Sequence, residues 1–260
     1  MTISLPTEPA PPTLDRWISQ IQFLQSGAKL ADLPPPSVPE IAIAGRSNAG
    51  KSTALNVLCQ RRRLAFASKT PGRTRLINLF SLQWRETEVG RLVDLPGYGY
   101  AEVDKQTRHQ WGEQLSRYLN KRSSLTGLIL VTDARHALGP LDVQMLDWFG
   151  PRDRPVHLLL TKADKLNRAD QQRALTTARA TAVRMGGRWG PAVSCSLFSG
   201  LSKTGREPVL ERISVWLGLL EETSHEPSGQ KKPADPLPVE MPSKEAPAQG
   251  GEAGDVKSVA

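Results

Sequence analysis

Short apolar runs and longer stretches of helical spacing alternate along this chain. Ile41-Ala42-Ile43-Ala44 and residues 76–82, 91–95, 125–132, 156–160 and 192–195 have the continuous apolar, partly β-branched character of buried strands. Between and after them, residues 53–58, 104–122, 141–149, 168–185 and 208–220 repeat apolar positions at three- and four-residue intervals, as helices do. Trp111, Leu115, Tyr118 and Leu119 mark the buried side of the 104–122 helix, and Val209, Leu210, Ile213, Trp216 and Leu217 that of the last one. Residues 14–30, with Trp17, Ile18, Ile21, Phe23 and Leu24, fit a short helix running into an edge strand. The alternation predicts an α/β domain with a mostly parallel six-stranded sheet and helices on both faces.

The pattern fades at both ends. Residues 1–13 are rich in Pro and Thr, and from Thr223 onward Pro, Gly, Glu, Lys and Ala dominate, so both ends read as disordered. The expected organisation is an N-terminal extension over residues 1–20, a folded domain over 21–222 and a Pro-rich acidic tail over 223–260. Pro34-Pro35-Pro36 is a stiff connector into the strand at Ile41.

Charge adds a partner class. The formal net charge is +8. After His225, four lysines stand against six acids, so that segment carries −2 and the remainder +10. A basic folded part points to a polyanion such as RNA. The 104–122 helix offers Lys105, Arg108, His109, Arg117, Lys121 and Arg122 on its polar side, which reads equally well as a solvated face or an RNA-facing one. Two cysteines, Cys59 and Cys195, make no disulfide framework and no metal-type spacing, which suits a reducing cytoplasm. The apolar runs are far shorter than the ~20 residues of a membrane span, and no signal peptide is expected at the N-terminus.

The candidate chemistry starts where the first central strand ends. Gly45-Arg46-Ser47-Asn48-Ala49-Gly50-Lys51-Ser52 matches G-x-x-x-x-G-K-[ST], preceded by a strand and followed by a helix, the context a phosphate loop requires. Its glycines let backbone N–H groups converge on phosphate oxygens, and the helix N-terminus favours the same anion. Lys51 is expected to reach the β- and γ-phosphates and Ser52 to ligate Mg²⁺. Residues 68–75 then form a polar, turn-rich loop in which Thr74 is the candidate second Mg²⁺ ligand, ordering the loop when a γ-phosphate is present.

Asp94-Leu95-Pro96-Gly97 closes the next strand. A carboxylate there suits Mg²⁺ through a water, and Gly97 can present its N–H to the γ-phosphate. Gly97-Tyr98-Gly99-Tyr100 reads as a mobile, aromatic second switch. Thr161-Lys162-Ala163-Asp164 ends a later strand. Its carboxylate can accept the N1–H and N2–H₂ of guanine together, donors that adenine lacks. The Lys162 stem can pack on the purine. The usual form is N-K-x-D, so Thr161 is a departure with weaker polar contacts expected. Phe198-Ser199-Gly200 is a small-residue loop able to offer backbone N–H to guanine O6.

Taken in order, these motifs resemble a translation-factor-class GTPase. More closely, Gly45 to Ser52, the 68–74 loop, residues 94–101 and residues 160–165 resemble the bacterial EngB (YihA/YsxC) family over roughly residues 21–220. The resemblance implies a Ras-like P-loop GTPase fold, GTP or GDP with Mg²⁺ as ligands, and a role in large ribosomal subunit assembly and in normal septation at cell division. It also implies nucleotide contacts from Gly72, Arg73, Thr74, Arg75 and Leu76, and catalytic duty for Lys51, Thr74, Gly97 and Asn48. A monomer acting on the large subunit or its precursor is expected. Gly200 stands where the family usually has a second serine, and the tail lies outside the family core.

Ras-like enzymes place a water-orienting glutamine after D-x-x-G, where this chain has Tyr98. Slow intrinsic turnover and stimulation by a ribosomal partner follow. Asn48 sits where some phosphate-loop GTPases hold K⁺, a second expectation for the missing positive charge. Two other functions compete: an ATPase or small-molecule kinase, against which Asp164 speaks, and a non-hydrolysing RNA-binding scaffold.

Overall fold

The computed structural model describes residues 18–62, 64, 76–84, 86–99, 105–136, 138–149, 154–185 and 193–220, with the backbone alone for 84, 105–111 and 182–185. All lie in the first of the two units into which the chain divides, Met1–Glu222. The disorder expected for residues 1–13 and for the tail concerns residues outside this set.

Seven strands, not six, form one sheet. In chain order the elements are β1 (Gln22–Gly27), β2 (Glu40–Gly45), α1 (Lys51–Leu58), β3 (Ile77–Trp84), β4 (Thr87–Asp94), α2 (Lys105–Lys121), β5 (Leu125–Asp133), α3 (Pro140–Phe149), β6 (Val156–Thr161), α4 (Arg168–Met185), β7 (Val193–Leu197) and α5 (Glu207–Trp216). The sheet order is β1-β3-β4-β2-β5-β6-β7. Pairing is parallel across β4-β2-β5-β6-β7, while β3 runs antiparallel to both of its neighbours, β1 and β4. The seventh is β1, the edge strand expected within residues 14–30, which joins the six apolar runs in the same sheet with Phe23 and Leu24 exposed.

The central strands are continuous apolar runs because both of their faces are covered. Ala42, Ala44, Leu128, Leu130, Leu158 and Leu160 join a core on one face with Leu115 and Tyr118 of α2 and Met145 and Phe149 of α3. Their neighbours Ile41, Ile43, Ile129, Val131 and Leu159 point the other way, into a core with Leu55 and Leu58 of α1 and Val209, Leu210 and Ile213 of α5. Burying each such Leu or Ile side chain contributes about 1.5–3 kcal/mol. Gly127 makes room for an indole: a Cβ there would lie 2.2 Å from the Trp216 ring.

At the amino ends of β2 and β4 sits a buried charged cluster. Glu40, fully buried, accepts hydrogen bonds from Arg91 (3.3 Å), from Arg122 Nε (2.9 Å) and from the Tyr118 hydroxyl (3.2 Å). Arg122 is therefore not on an RNA-facing surface; it is 4% exposed and neutralises Glu40. Arg117 and Lys121 of the same helix remain exposed. The opposite, carboxyl ends of the strands carry the motifs.

Candidate functional site

β2 ends at Gly45 because the chain must pass close to β5 there: a Cβ would meet the Val131 carbonyl at 2.7 Å. The loop that follows needs two left-handed residues, Asn48 (φ 63°) and Gly50 (φ 96°), before α1 begins at Lys51. Glycine tolerates that conformation at Gly50 without strain. The backbone N–H groups at the start of α1 have no helical partner, and the helix dipole adds positive potential at the same place. An anion is the natural occupant. The far end of α1 is tied down by Arg206, which donates to the carbonyls of Val57 (3.2 Å) and Leu58 (2.9 Å). Cys59, fully buried beside it, is an inert thiol, pushed up to about 12 by burial against the opposing pull of Arg206 and Arg61.

Lys51 and Asp94 meet directly. The Lys51 ammonium donates to Asp94 Oδ1, and Asn78 of β3 donates to Oδ2 at 3.4 Å. Asp94 is 4% exposed, at the end of β4 beside β2. Asn78 is a contact that the motifs gave no sign of, since it comes from an antiparallel neighbour. Among the described residues no group of three or more His, Cys, Asp or Glu could hold a metal ion. The oxygen donors at hand, the Asp94 carboxylate and the Ser52 hydroxyl, fit Mg²⁺, which keeps several waters and takes further oxygens from phosphates.

Gly97 lies against the phosphate loop, where a Cβ would stand 3.6 Å from Ser47 Cα. Tyr98 is a correction to the reading of a mobile aromatic switch. It is 5% exposed, and its hydroxyl donates to Asp142 Oδ1 of α3 at 2.6 Å. Burial, with the Asp142 carboxylate second, raises its pKa well above that of an ordinary phenol. With its hydroxyl taken by Asp142, Tyr98 offers nothing to orient a water. Gly72, Arg73, Thr74, Arg75, Tyr100 and Ala101 lie outside the described residues, and Leu76 is exposed.

The base-side residues converge from two loops. The Ala163 N–H donates to the Phe198 carbonyl (3.1 Å), and the Phe198 N–H to the Leu160 carbonyl (2.8 Å). Ser199 Oγ donates to Asp164 Oδ1 at 2.6 Å and accepts from the Ser202 N–H. One carboxylate oxygen is thus held, and the other, Oδ2 of a side chain 18% exposed, has the Lys165 ammonium 3.9 Å away. Thr161 makes firm contacts despite its departure from asparagine: its hydroxyl faces the carbonyls of Ala49, in the phosphate loop, and Thr132 (2.9 Å). Lys162, itself left-handed (φ 58°), donates to the Asn48 carbonyl at 2.7 Å and pairs with Asp133 at 3.0 Å. Burial works against the charge on Asp133, but Arg135 and Lys162 overcome it and hold the carboxyl well below the usual range. Gly200 packs on α1: a Cβ would fall 2.4 Å from Thr53 Cγ2. A serine there requires the exposed Thr53 side chain to shift.

The phosphate loop thus stands at the topological switch point, where the chain leaves β2 for strands on either side of it, the usual ligand crevice of such sheets. The sequence model of a family described as "50S ribosome-binding GTPase" matches residues 40–162. The fold is shared with solved structures of an EngB GTP-binding protein (TM-score 0.52, 19% identity, 69% of this chain and 98% of the other) and of Era in complex with MgGDPNP and nucleotides of 16S ribosomal RNA (TM-score 0.52, 22% identity, 78% and 62%). The protein is a Ras-like P-loop GTPase. Among curated relatives it is 50% identical over 220 residues to an EngB GTP-binding protein of Aromatoleum aromaticum, covering 85% of this chain and 94% of that one. It is 51% identical over 196 residues to that of Azoarcus (75% and 90%) and 45% over 225 residues to that of Ralstonia pickettii (85% and 97%). The chain belongs to the EngB family of GTP-binding proteins.

Proposed function

We propose that this GTPase is a guanine-nucleotide switch acting in assembly of the large ribosomal subunit in the cytoplasm, and that normal septation depends on it. The observation that supports it is the Ser199–Asp164 hydrogen bond, which braces in place the carboxylate read as the base-recognising group. Guanine N1–H and N2–H₂ match it, whereas adenine would leave the carboxylate unpaired. The ribosomal reading is supported by the description of the matched family and by a formal charge of +8. It is also supported by the ribosomal RNA bound to the Era neighbour.

In this reading Lys51 would pair with phosphate oxygens in place of Asp94, and Asp94 and Ser52, with Thr74, would hold Mg²⁺. Mg²⁺ supplies charge neutralisation on the phosphates. Residues Gly45 to Ser52 and Gly97 would line the phosphates with their backbone, although the Ser47 and Ala49 N–H groups donate to the Tyr98 and Arg46 carbonyls in this structure. Gly72 to Leu76, with Asp94 to Gly97, complete the phosphate side; Thr161 to Asp164 and Phe198 to Gly200 hold the base. Asn48 is the candidate for K⁺. With Tyr98 directed into the core, intrinsic hydrolysis is slow and a ribosomal partner speeds it. The folded part over residues 21–222 works as a monomer, with 1–20 and 223–260 as accessory segments. No helix among the described residues is long and apolar enough to cross a membrane.

Fluorescent-nucleotide titration of wild type and Asp164→Asn with GDP, GTP, ATP and XDP tests the base reader. Wild type should bind guanine nucleotides alone, and the variant should shift toward XDP. Equal binding of ATP and GTP by wild type would remove the guanine reading. Co-sedimentation with purified large subunits, with GDP or a GTP analogue, tests the ribosomal role; no GTP-dependent binding would refute it.

A further inference from the structure

Tyr98 is fixed on every side. Its N–H donates to the Gly45 carbonyl (3.3 Å), its carbonyl accepts from the Ser47 N–H (2.8 Å), and it forms a parallel bridge with Arg46. The Leu95 N–H, three residues earlier, donates to the Ile43 carbonyl at 3.0 Å. The Leu95–Tyr98 segment is therefore stitched along β2 and the phosphate loop. On the other side, the phenol donates to Asp142 Oδ1, while Oδ2 of the same carboxylate accepts the Gly139 N–H at 2.8 Å. Asp142 is 1% exposed, so its charge is held by these two donors, with Arg46 nearby: a Cβ on Gly139 would lie 3.4 Å from Arg46 Nη1 and 3.6 Å from Asp142 Oδ2. The next residue, Gly99, is exposed and left-handed (φ 81°), the first point at which the backbone is free to turn.

We propose that Tyr98 and Asp142 form a latch that positions the Gly97 N–H for the γ-phosphate of a nucleoside triphosphate. This rests on the reading that Gly97 meets the γ-phosphate of GTP. Both are positioning residues: neither touches nucleotide, and they act through the backbone of Gly97. A hydrogen bond to a buried carboxylate is directional and strong, so it fixes the peptide next to Gly97 in one orientation before any ligand arrives. GDP has no γ-phosphate for Gly97 to contact. The latch therefore serves discrimination between GTP and GDP, and its loss shows in one nucleotide alone. A packing role without positioning would weaken both nucleotides together or neither.

The test is equilibrium binding of GDP and of a non-hydrolysable GTP analogue to full-length wild type and to Gly97→Ala, Tyr98→Phe, Asp142→Asn and the Tyr98→Phe/Asp142→Asn double variant. Tyr98→Phe deletes one oxygen and keeps the ring, so it reports even if Asp142→Asn folds poorly. Tyr98→Phe should weaken the analogue about tenfold and leave GDP within about twofold; Asp142→Asn, which leaves one amide oxygen for the Tyr98 and Gly139 donors, should weaken it by no more than that, and the double variant should add little to Tyr98→Phe. If Gly97→Ala weakens the analogue while Tyr98→Phe does not, the latch is refuted and the Gly97 reading stands. If Gly97→Ala also leaves the analogue unchanged, the Gly97 reading falls and the latch with it. Equal weakening of GDP and analogue by Tyr98→Phe assigns the pair to packing and overturns the proposal.

Discussion

Glu40→Gln is the substitution whose effect can be worked out most fully. Arg91 has other partners: Glu88 at 2.7 Å, the Pro35 carbonyl at 3.0 Å and Ser37 Oγ at 3.1 Å. Arg122 is paired with Glu40 alone among the ion pairs of the described residues, and its side chain is 5% exposed. Glutamine keeps the shape but turns an amide toward a guanidinium and leaves the Arg122 charge buried without a counter-ion. Breaking such a pair from one side costs about 3–5 kcal/mol. At about 2–4 °C per kcal/mol for a domain of this size, melting should drop by roughly 6–20 °C.

The assay is urea and thermal unfolding of wild type, Glu40→Gln, Arg122→Met and the double variant at one fixed GDP concentration, because bound nucleotide itself raises stability. The double variant should recover most of the loss, since removing both charges of a buried pair is often near neutral. Glu88→Gln is the control: that carboxylate is 25% exposed and should cost no more than about 1 kcal/mol. A Glu40→Gln change below about 1 kcal/mol, or one no larger than that of Glu88→Gln, would refute the reasoning.

Two further outcomes are expected. His157 is 2% exposed between Ser194 Oγ and Ser196 Oγ, each 2.8 Å from a ring nitrogen, and burial, with Arg212 adding to it, lowers its pKa to about 4. The unfolded chain takes up a proton near the ordinary ~6.5, so it binds more protons than the folded state between these values. Stability should fall as pH drops through that window, by roughly 3 kcal/mol at its lower end. Urea midpoints at pH 7.5 and 5 should converge toward one another in His157→Gln; an unchanged pH slope in the variant would reject this assignment. Gly200→Ser should weaken GDP binding by about 1–3 kcal/mol through collision with Thr53, and Thr53→Ala should restore it in the double variant. Calorimetry that finds Gly200→Ser neutral would show that Thr53 rotates aside freely.

The motifs were legible because each is a local string whose chemistry follows from its own residues. Gly45 to Ser52, Asp94 to Gly97 and Thr161 to Asp164 all fall at carboxyl ends of strands, as their spacing required. What sequence could not supply are pairings between distant positions. Arg122 reads as one more cation on a basic helix until Glu40, 82 residues earlier, is brought beside it. Tyr98 reads as an exposed aromatic between two glycines until Asp142 takes its hydroxyl across 44 residues. Thr161 reads only as a departure from asparagine until the Ala49 carbonyl, 112 residues earlier in the phosphate loop, takes its hydroxyl.

The two ends of β2 separate stability from switching. Glu40 anchors its amino end in a buried charge cluster, and Gly45 opens the phosphate loop at its carboxyl end. At about 3.3 Å per residue the two lie roughly 16 Å apart. The charges at the carboxyl end are kept in self-neutralising pairs, Lys51 with Asp94 and Lys162 with Asp133. A phosphate that takes Lys51 must leave Asp94 a replacement cation, so anion and Mg²⁺ binding are coupled by charge at this site. Asp94→Asn should then lower the Mg²⁺ dependence of GDP binding rather than abolish binding outright. The Glu40 cluster, bonded to none of these groups, should leave that coupling untouched when it is mutated.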